Sequence, residues 1–301
     1  MKKIIVIGSL NMDLITQTEK LPIMGETISG LTFKTGCGGK GGNQAYAAAK
    51  LGGNVTMFGC IGQDLFGQEL YHNLENQGVD CSKIRICEGM ESGTATITVC
   101  NGDNSIIIIP GANGEVSIEY IEKNLNYIKE ADFIILQLEI PIETVKYIIT
   151  FAAKKGIPVM LNPAPAKSLP DEILCQAKYV IVNETECEFY TKTSVKTIED
   201  AKKGLLQLLG KGIENGIVTL GSQGVVYNCG KEIFHEPARK VKAIDSTAAG
   251  DTFTAAVVIS LLEGNDMKEA VNFATKASSI VVSRIGAQTS IPSRDEVDTI
   301  S

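Results

Sequence analysis

Short runs of β-branched and aliphatic residues alternate along this chain with longer stretches in which apolar residues recur at helical spacing. Runs of the first kind are typical of buried strands, and stretches of the second kind are typical of amphipathic helices. The pattern predicts strands over residues 3–7, 55–60, 133–136, 158–161, 179–182 and 216–220. It predicts helices over residues 43–51, 67–77, 118–129, 142–154, 198–209, 250–263 and 267–283. The last two helices are apolar almost all round, so we expect both to be deeply buried.

Strands that alternate with helices indicate an α/β fold with a mostly parallel sheet covered by helices. Two stretches, at residues 14–34 and 94–109, interrupt the alternation with strand patterns and turn residues. Residues 94–99 alternate between polar and apolar side chains, whereas residues 105–109 form an apolar strand without an obvious helical cover. We therefore expect a small second sheet. Its apolar face needs a cover, either a ligand or a second copy of the chain.

The composition is that of a folded globular protein, since 44% of the 301 residues are hydrophobic and 21% are charged. The net charge of −7 argues against a general nucleic-acid coat, because phosphate backbones bind clustered lysine and arginine. A local site for a small phosphorylated ligand is compatible with this charge. No apolar run reaches the roughly 18 residues that a membrane span requires.

Cysteine and histidine usage narrows the chemistry further. The eight cysteines form no C-x-x-C pair and no zinc-type spacing. The apolar stretch at the start is too short for a secretory signal, and Asn11 and Asp13 follow where a cleavage site would be. We expect a cytoplasmic protein with reduced thiols. His72 and His235 lie far apart in sequence, which disfavours a Ser-His-Asp or histidine-rich metal mechanism.

A glycine-rich stretch at residues 36–43 precedes the first helix. It contains G-x-G-x-x-G, but a dinucleotide-binding fold carries that motif directly after its first strand, which here ends at Gly8. A Walker A loop is absent, because Lys40 is followed by Gly41 and not by a hydroxyl residue. The stretch suits a small polyhydroxylated ligand, since glycine permits close backbone approach and both Lys40 and Asn43 form hydrogen bonds. A tight turn with a solvent-facing Lys40 is the alternative.

The segment at residues 245–256 leads into the first of the two apolar helices. Small residues at 248–250 let the N–H groups of the first helical turn point outward together, which makes an anion site reinforced by the helix dipole. Asp251 lies in that turn, where an acid can simply stabilise a helix start. Beside an anion site, a carboxylate is also placed to accept the proton of an attacking hydroxyl group. Together with the glycine-rich loop, this segment indicates phosphoryl transfer.

At this point the chain resembles the ribokinase-like (PfkB) carbohydrate kinases. The resemblance rests on blocks in family order: residues 38–43 with Ala45, Gly52 and Gly62, residues 162–166, 183–186 and 219–224, and residues 245–251 with Ala255 and Ala256. Ordered matches extend from residue 4 to about residue 292. The resemblance implies a three-layer α/β/α sandwich with a mostly parallel central sheet. It implies one kinase domain over residues 1–301, with a β lid formed by about residues 14–34 and 94–109.

Within the family, the resemblance is strongest to the kinases that phosphorylate ribose. It implies a ribose site lined by Asn11, Asp13, Gly39, Lys40, Asn43, Glu139 and Asp251. Carboxylate and amide groups suit this role because a furanose presents several hydroxyl groups in fixed directions. By the same resemblance, Asp251 is the base that activates the 5-hydroxyl group for in-line attack on the γ-phosphate of ATP. The developing charge would be received by four N–H groups, those of Ala248, Ala249, Gly250 and Asp251.

The nucleotide side carries over in the same way. The resemblance implies an ATP site formed by Asn183, Glu186, Thr219, Gly221, Ser222, Gly224, Gly250 and Thr275, the last near the adenine. Asn183 and Glu186 would organise Mg²⁺ and the phosphates, with Glu186 acting through water, as suits the partly hydrated sites that Mg²⁺ prefers. The spacing of these two residues also fits a helix start, with an asparagine cap and a glutamate at the third helical position.

The resemblance to the kinases that phosphorylate ribose further implies a monovalent cation, usually potassium. The matching positions are Asp245, Thr247, Val281, Arg284, Gly286 and Ser290, most of which would contribute backbone oxygens. The β lid would cover the sugar and exclude water, so that ATP is not hydrolysed. Its exposed face suits a homodimer. The expected partners are therefore ribose, ATP and a second copy of the chain, with no nucleic acid and no membrane.

Three functions stay open at this stage. The first is an ATP-dependent ribose 5-kinase. The second is the same fold acting on 2-deoxyribose, fructose, pseudouridine or another nucleoside. An apolar residue at position 11 would favour deoxyribose, and aromatic residues in the lid would favour a nucleoside. The chain has Asn11, and its lid has few aromatic residues apart from Phe33. The third is a non-catalytic sugar sensor, which would be marked by loss of Asp251 or of the small residues at 248–250, and the chain has both. Two departures from the family pattern, at Gly42 and at Ser246-Thr247, leave the exact sugar open.

Overall fold

The computed structural model describes residues 2–100 and 103–300, and strands alternate with helices along most of them. The strands are β1 (Lys3–Ile7), β2 (Asn11–Thr18), β3 (Thr32–Gly38), β4 (Asn54–Gly62), β5 (Asp80–Cys87), β6 (Gly93–Cys100), β7 (Asp103–Ile109), β8 (Phe133–Leu136), β9 (Val159–Leu161), β10 (Tyr179–Asn183), β11 (Asn215–Thr219), β12 (Val225–Cys229) and β13 (Glu232–Glu236). The helices are α1 (Lys40–Lys50), α2 (Leu65–Asn76), α3 (Ile118–Glu122), α4 (Leu125–Ile128), α5 (Ile142–Lys155), α6 (Asp171–Leu174), α7 (Glu184–Thr191), α8 (Ile198–Gly210), α9 (Ala249–Leu262), α10 (Met267–Val282) and α11 (Arg294–Asp298).

The main sheet, within these described ranges, has nine strands in the order β13-β12-β11-β10-β9-β8-β1-β4-β5. Its pairs are parallel from β11 to β5, and the two pairs that join β11, β12 and β13 are antiparallel. One buried apolar cluster contains residues of α1, α2, α9 and α10, and the other contains residues of α3, α5, α7 and α8. The sheet is thus the middle layer of an α/β/α sandwich, which confirms the predicted fold class.

A small separate sheet follows the order β3-β2-β6-β7. Strand β2 pairs antiparallel with β3 and parallel with β6, and β6 pairs antiparallel with β7. Residues 101 and 102 of the predicted lid stretch lie outside the described residues. Strand β2 begins at Asn11, so two residues of the predicted sugar site, Asn11 and Asp13, belong to this sheet. Four consecutive isoleucines of β7 are between 43% and 64% exposed, namely Ile106, Ile107, Ile108 and Ile109.

Two predictions about helices were wrong. The helix expected over residues 118–129 is two short helices, α3 and α4, because the Asn124 side chain donates to the Tyr120 carbonyl over 3.0 Å and the chain turns there. Helix α10 is not buried all round, since Lys268 and Glu269 lie on an exposed polar face. By contrast, α9 is buried from Asp251 to Ser260, as expected. Strands β5, β12 and β13 were not predicted.

Among the described residues, the longest apolar helices fall short of what would be needed to cross a bilayer.

Candidate active site

A cavity of about 220 Å³ lies at the carboxyl ends of β9, β10 and β11, where open α/β sheets place their ligand sites. Its lining combines the segment that begins α9 with residues in or after these strands and with the first residue of α1: Lys40, Asn162, Ile181, Asn183, Glu186, Thr219, Ser246, Ala248, Gly250 and Asp251. The cavity therefore brings together residues predicted for the sugar, for the base and for the nucleotide.

The start of α9 has an unusual backbone. Its cap, Ala248, has a φ of 62°, a left-handed conformation that costs a residue with a side chain roughly 1–2 kcal/mol. The Ala249 N–H donates to the Ser246 carbonyl over 3.1 Å, so one of the four predicted N–H groups is engaged in its own turn. The N–H groups of Gly250 and Asp251 precede the first helical hydrogen bond and have no backbone acceptor within the described ranges. These two are available to an anion at a helix start.

The Asp251 side chain is buried, and both of its oxygens accept hydrogen bonds from α1. Asn43 Nδ2 donates to Oδ2 over 3.0 Å, and Gln44 Nε2 donates to Oδ1 over 2.9 Å. Burial raises the pKa of Asp251 above its ordinary value, and Glu139 adds to the effect, while Lys40 and the two amides oppose it. A raised pKa makes a carboxylate a stronger base than an exposed aspartate, but the group can accept a proton only while it is ionised, and the hydrogen bonds from Asn43 and Gln44 favour that form.

Lys40, the first residue of α1, faces three carboxylates. Burial works to lower its pKa, but the negative charges of Asp251, Glu139 and Glu186 outweigh burial, and the pKa is raised. The ammonium group therefore stays charged. Its position next to the cavity fits a donor to a ligand better than the solvent-facing lysine that was the alternative.

The glycine-rich turn closes against the loop after β1. Gly39 has a φ of 81°, and a Cβ there would lie 2.7 Å from the backbone nitrogen of Asn11. Glu139 links the same two segments, because its Oε2 accepts from Ser9 Oγ over 2.5 Å and from the Lys40 N–H over 3.0 Å. Glycine is thus required by both the conformation and the close approach at Gly39.

Asn11 and Asp13 point into the same region from β2. The pKa of Asp13 is raised to about 7, mainly because the side chain is buried and further because of the negative charges of Glu139 and Asp251. Asn11 is buried, and its Oδ1 accepts a hydrogen bond from Asn113 Nδ2 over 2.7 Å. Of the residues predicted for the sugar, only Lys40 and Asp251 line the cavity, whereas Asn11, Asp13, Gly39, Asn43 and Glu139 do not. Asp13 and Glu139 lie close enough to Asp251 for their charges to interact, and such a group of acids and amides can bind several hydroxyl groups of a single ligand.

Two residues predicted for the nucleotide, Asn183 and Glu186, lie at the junction of β10 and α7. Asn183 and Glu186 form a capping box at the start of α7, with the Glu186 N–H donating to Asn183 Oδ1 over 2.8 Å and the Asn183 N–H donating to Glu186 Oε2 over 2.9 Å. Both side chains also line the cavity, so the helix-start interpretation and the ligand interpretation hold together. Burial raises the pKa of Glu186, the charge of Asp251 adds to it, and Asn183 and Lys40 oppose it.

Most of the other residues predicted for the nucleotide lie at the end of β11, on the turn after it and on α10. Thr219 ends β11 and lines the cavity, and Ser222 is exposed on the turn that follows. Gly221 and Gly224 have φ values of 49° and 96°, and a Cβ on Gly224 would lie 2.1 Å from the Glu236 carbonyl oxygen. Thr275 is buried in α10, where its Oγ1 donates to the Val271 carbonyl, and it does not line the cavity.

Asp245 ties together the two segments predicted to hold a monovalent cation. Its Oδ1 accepts from Thr247 N and Oγ1, and its Oδ2 accepts from the Gly286 N–H over 3.0 Å. Burial acts to raise the pKa of Asp245, but these hydrogen bonds outweigh it and the pKa is lowered. Val281, Arg284 and Ser290 lie on the same C-terminal segment. In the described part of the chain, no cluster of His, Cys, Asp and Glu side chains could hold a metal ion by itself.

Four polar residues of the site were missed by sequence reasoning, namely Gln44, Asn113, Gln137 and Gln288. All four are buried, and each forms a hydrogen bond to Asp251, Asn43, Gln44 or Asn11. Only Gln44 had a signal in the sequence, since it directly follows the glycine-rich motif. The others are distant in sequence from the residues that they contact.

A buried carboxylate, free N–H groups at a helix start and a polar cavity provide a proton acceptor and an anion site side by side, as in a phosphotransferase. The chain belongs to the pfkB family of carbohydrate kinases, whose model matches residues 1–294. It is 40% identical to the ribokinase of Bacillus subtilis over 100% of this chain and 99% of that protein. It is 39% identical to the deoxyribokinase of Salmonella typhi over 97% and 96% of the two chains.

Solved structures give the same family. A ribokinase of Arabidopsis thaliana, complexed with ribose and ATP, superposes with a TM-score of 0.90 at 31% identity, over 98% of this chain and 97% of that chain. The family resemblance found in the sequence blocks is therefore confirmed over essentially the whole chain. The protein is a carbohydrate kinase.

Proposed function

We propose that this kinase transfers the γ-phosphoryl group of ATP to the 5-hydroxyl group of D-ribose, with Asp251 as the general base. The observation that carries the proposal is the position of Asp251. Its carboxylate is buried at the start of α9, and Asp251 lines the same cavity as Lys40, Asn183, Glu186 and Thr219. A hydroxyl group beside Asp251 would face a γ-phosphate held at the end of β10 and β11.

The proton and the charge have separate destinations in this mechanism. Asp251 accepts the proton of the 5-hydroxyl group as its oxygen attacks the γ-phosphorus in line with the leaving ADP. The N–H groups of Gly250 and Asp251 donate to the transferring phosphoryl oxygens, and the charged Lys40 offsets the negative charge between the two substrates. General-base assistance of this kind contributes about 10²- to 10⁴-fold in rate.

The residues around Glu186 fit a hydrated Mg²⁺. Glu186 Oε2 accepts from the Asn183 N–H, and Oε1 accepts from Asn183 Nδ2 over 3.2 Å, so both oxygens are already oriented by protein donors. Such a carboxylate suits a water-mediated contact better than direct ligation. Bound with ATP, Mg²⁺ would neutralise charge on the phosphates. Asn183 would orient the water molecules around Mg²⁺ and the phosphate oxygens of ATP.

A monovalent cation, with potassium as the first candidate, fits the segments that Asp245 joins. Because the Asp245 oxygens are occupied by Thr247 and Gly286, carbonyl oxygens of the two segments are the natural donors for such an ion. The start of α9 follows directly after residue 247. A cation there would stabilise the conformation of the turn that presents the Gly250 and Asp251 N–H groups.

The choice of ribose is supported by Asn11, whose amide can bind the 2-hydroxyl group, and by the ribokinase relatives. The deoxyribokinase relative makes 2-deoxyribose the second candidate, because it is nearly as similar to this chain. We also propose that the small sheet covers the sugar and forms a homodimer. Support comes from the exposed apolar residues of this sheet, among them Phe33 at 64% and Ile107 at 64% exposure.

The test is a coupled ADP-release assay with Mg-ATP that compares ribose, 2-deoxyribose, fructose and adenosine, each with potassium and with sodium. Dominant ribose turnover that rises with potassium supports the substrate and the cation together. Dominant turnover of another sugar retains the mechanism and moves the proposal to that sugar. Ribose binding without any ADP release would favour a sugar sensor instead. Phosphate nuclear magnetic resonance of the product identifies the phosphorylated position.

A further inference from the structure

Two chains of side-chain amides converge on the carboxylate of Asp251. In the first, Gln137 Nε2 donates to Gln44 Oε1 over 2.5 Å, and Gln44 Nε2 donates to Asp251 Oδ1 over 2.9 Å. Gln44 lies on α1 and Gln137 directly follows β8. Both glutamines are fully buried.

The second series of hydrogen-bonded amides reaches the other oxygen of the Asp251 carboxylate. Asn73 Nδ2 donates to Gln288 Oε1, Gln288 Nε2 donates to Asn43 Oδ1 over 3.1 Å, and Asn43 Nδ2 donates to Asp251 Oδ2 over 3.0 Å. Asn73 belongs to α2, and Gln288 belongs to the segment after α10. The carboxylate is thereby held from four parts of the fold.

The direction of every hydrogen bond in both chains follows from Asp251. An ionised carboxylate only accepts, so Gln44 and Asn43 must turn their NH₂ groups toward it, and their carbonyl oxygens must face away. Gln137 and Gln288 must then donate to those oxygens. Hydrogen bonds that run in one direction polarise one another, and each chain therefore strengthens the donor that touches Asp251. This arrangement favours the charged form of the base.

The first chain leaves a polar atom of Gln137 without a partner. Its Oε1 is buried and accepts no hydrogen bond within the described ranges. The space around it is also restricted, because a Cβ on Gly8 would lie 1.9 Å from this oxygen. An unpaired buried carbonyl is unfavourable for folding, and an apolar side chain of the same size would avoid it. The glutamine is therefore explained by its contact with Gln44 and not by the stability of the core.

We propose that Gln44 and Gln137 are positioning residues that keep the Asp251 carboxylate ionised and rotated for proton acceptance. The proposal rests on the proposed role of Asp251 as the base. Four charged groups face Asp251: Lys40 from α1, Glu139 after β8, Asp13 from β2 and Glu186 from α7. Substitution of the glutamines leaves all four in place.

The experiment replaces each glutamine by methionine, which keeps the length of the side chain and removes the amide. For Gln44→Met, we expect kcat at neutral pH to fall about tenfold or more and the acidic limb of the pH–kcat profile to move up by about one unit, because a lost N–H donor raises the pKa of the base. For Gln137→Met, we expect a smaller shift in the same direction. The KM for ATP stays within about twofold, since neither glutamine lines the nucleotide side.

Gln207→Met, on the exposed face of α8, is the matched control, and its profile should coincide with that of the unsubstituted enzyme. A uniform loss of activity at all pH values with an unmoved acidic limb would mean that the glutamines serve packing alone, and the proposal would be overturned. If Gln44→Met does not fold, as judged by circular dichroism, the pH profile of Gln137→Met tests the proposal instead. This variant leaves the hydrogen bond from Gln44 to Asp251 in place and removes only the bond that orients Gln44.

Failure of this proposal differs from failure of the proposed function. If Asp251→Asn keeps near-normal turnover, Asp251 is not the base and both fail. If Asp251→Asn is inactive while both methionine variants keep the original acidic limb, the base stands and only the positioning role is refuted.

Discussion

Asn113 donates a hydrogen bond from its Nδ2 to Oδ1 of Asn11 over 2.7 Å. The orientation of the Asn113 amide is fixed, because its Oδ1 accepts from the backbone N–H of Leu10 over 2.8 Å and its Nδ2 also donates to the Leu10 carbonyl. Asn11 Oδ1 is therefore engaged by Asn113, which leaves the Nδ2 group of Asn11 as the donor for the proposed sugar ligand. A hydroxyl oxygen can accept from these donors, whereas a methylene group cannot.

The first prediction concerns this donor. Asn11→Ala should raise the KM for ribose by about tenfold and the KM for 2-deoxyribose by less than about twofold, because only ribose has an oxygen at carbon 2 to lose the hydrogen bond. Steady-state kinetics on the two sugars at saturating ATP measure both values. Equal increases for the two sugars would show that Asn11 does not contact the 2-hydroxyl group.

The second prediction concerns the base. Asp251→Asn keeps the size of the side chain but removes the basic oxygen, so kcat should fall by at least about 100-fold while ribose affinity changes only several-fold. Stopped assays give kcat, and isothermal calorimetry gives the affinity. Asp295→Asn, an exposed aspartate on α11, is the control and should leave both unchanged. Turnover near the normal rate in Asp251→Asn would refute the assignment.

The third prediction follows from the raised pKa of Asp13, which is about 7 in the folded protein and close to 4 in an unfolded chain. Between these pH values the folded state holds a proton that the unfolded state has released, so the free energy of unfolding falls as pH rises. Asp13→Asn removes this contribution. Calorimetry without sugar should therefore show a smaller decrease of Tm from about pH 4 to about pH 7 in the variant. Parallel curves for the two proteins would contradict the buried, proton-binding state of Asp13.

The fourth prediction tests the surface of the small sheet. Ile107→Lys places a charge on β7 and should convert a dimer to a monomer, because burying an unpaired ammonium group in an apolar interface is strongly unfavourable. Leu206→Lys on α8 is the matched control, since Leu206 is 58% exposed and lies outside the small sheet. Sedimentation equilibrium gives the mass of each protein. A monomeric unsubstituted protein at micromolar concentration would rule the dimer out.

The framework of the fold could be predicted because buried strands are continuous apolar runs. Strands β1 and β8 begin and end at the predicted residues for this reason. Strand β13 was missed because its sequence, Glu-Ile-Phe-His-Glu, has polar ends and is only half-buried, so it lacks the apolar run. The break between α3 and α4 depends on one side-chain hydrogen bond from Asn124, which periodicity does not register.

The residues of the candidate site likewise fall into those that the sequence predicts and those that it does not. Asp251, Lys40 and Asn183 lie in blocks whose local spacing carries a physical meaning, and the fold places all three at one cavity. Gln137 and Gln288 could not be predicted, because they are 93 and 245 residues away from the partners to which they donate. Only the tertiary structure brings the residue after β8 and the C-terminal segment next to α1. Asn113 was missed for the same reason.

Residues Asn11 and Asp13 belong to the small sheet, whereas Asp251 begins a helix of the main body. In the proposed function, the acceptor contacts of Asn11 and Asp13 would therefore come from a different sheet than the one that adjoins the proposed base. On this proposal, a substitution at Asn11 would change the contacts of the sugar and leave in place the turn at Ala248 and the amides that hold the Asp251 carboxylate. A change of acceptor in evolution would then begin in a single strand, with the proposed machinery of phosphoryl transfer kept.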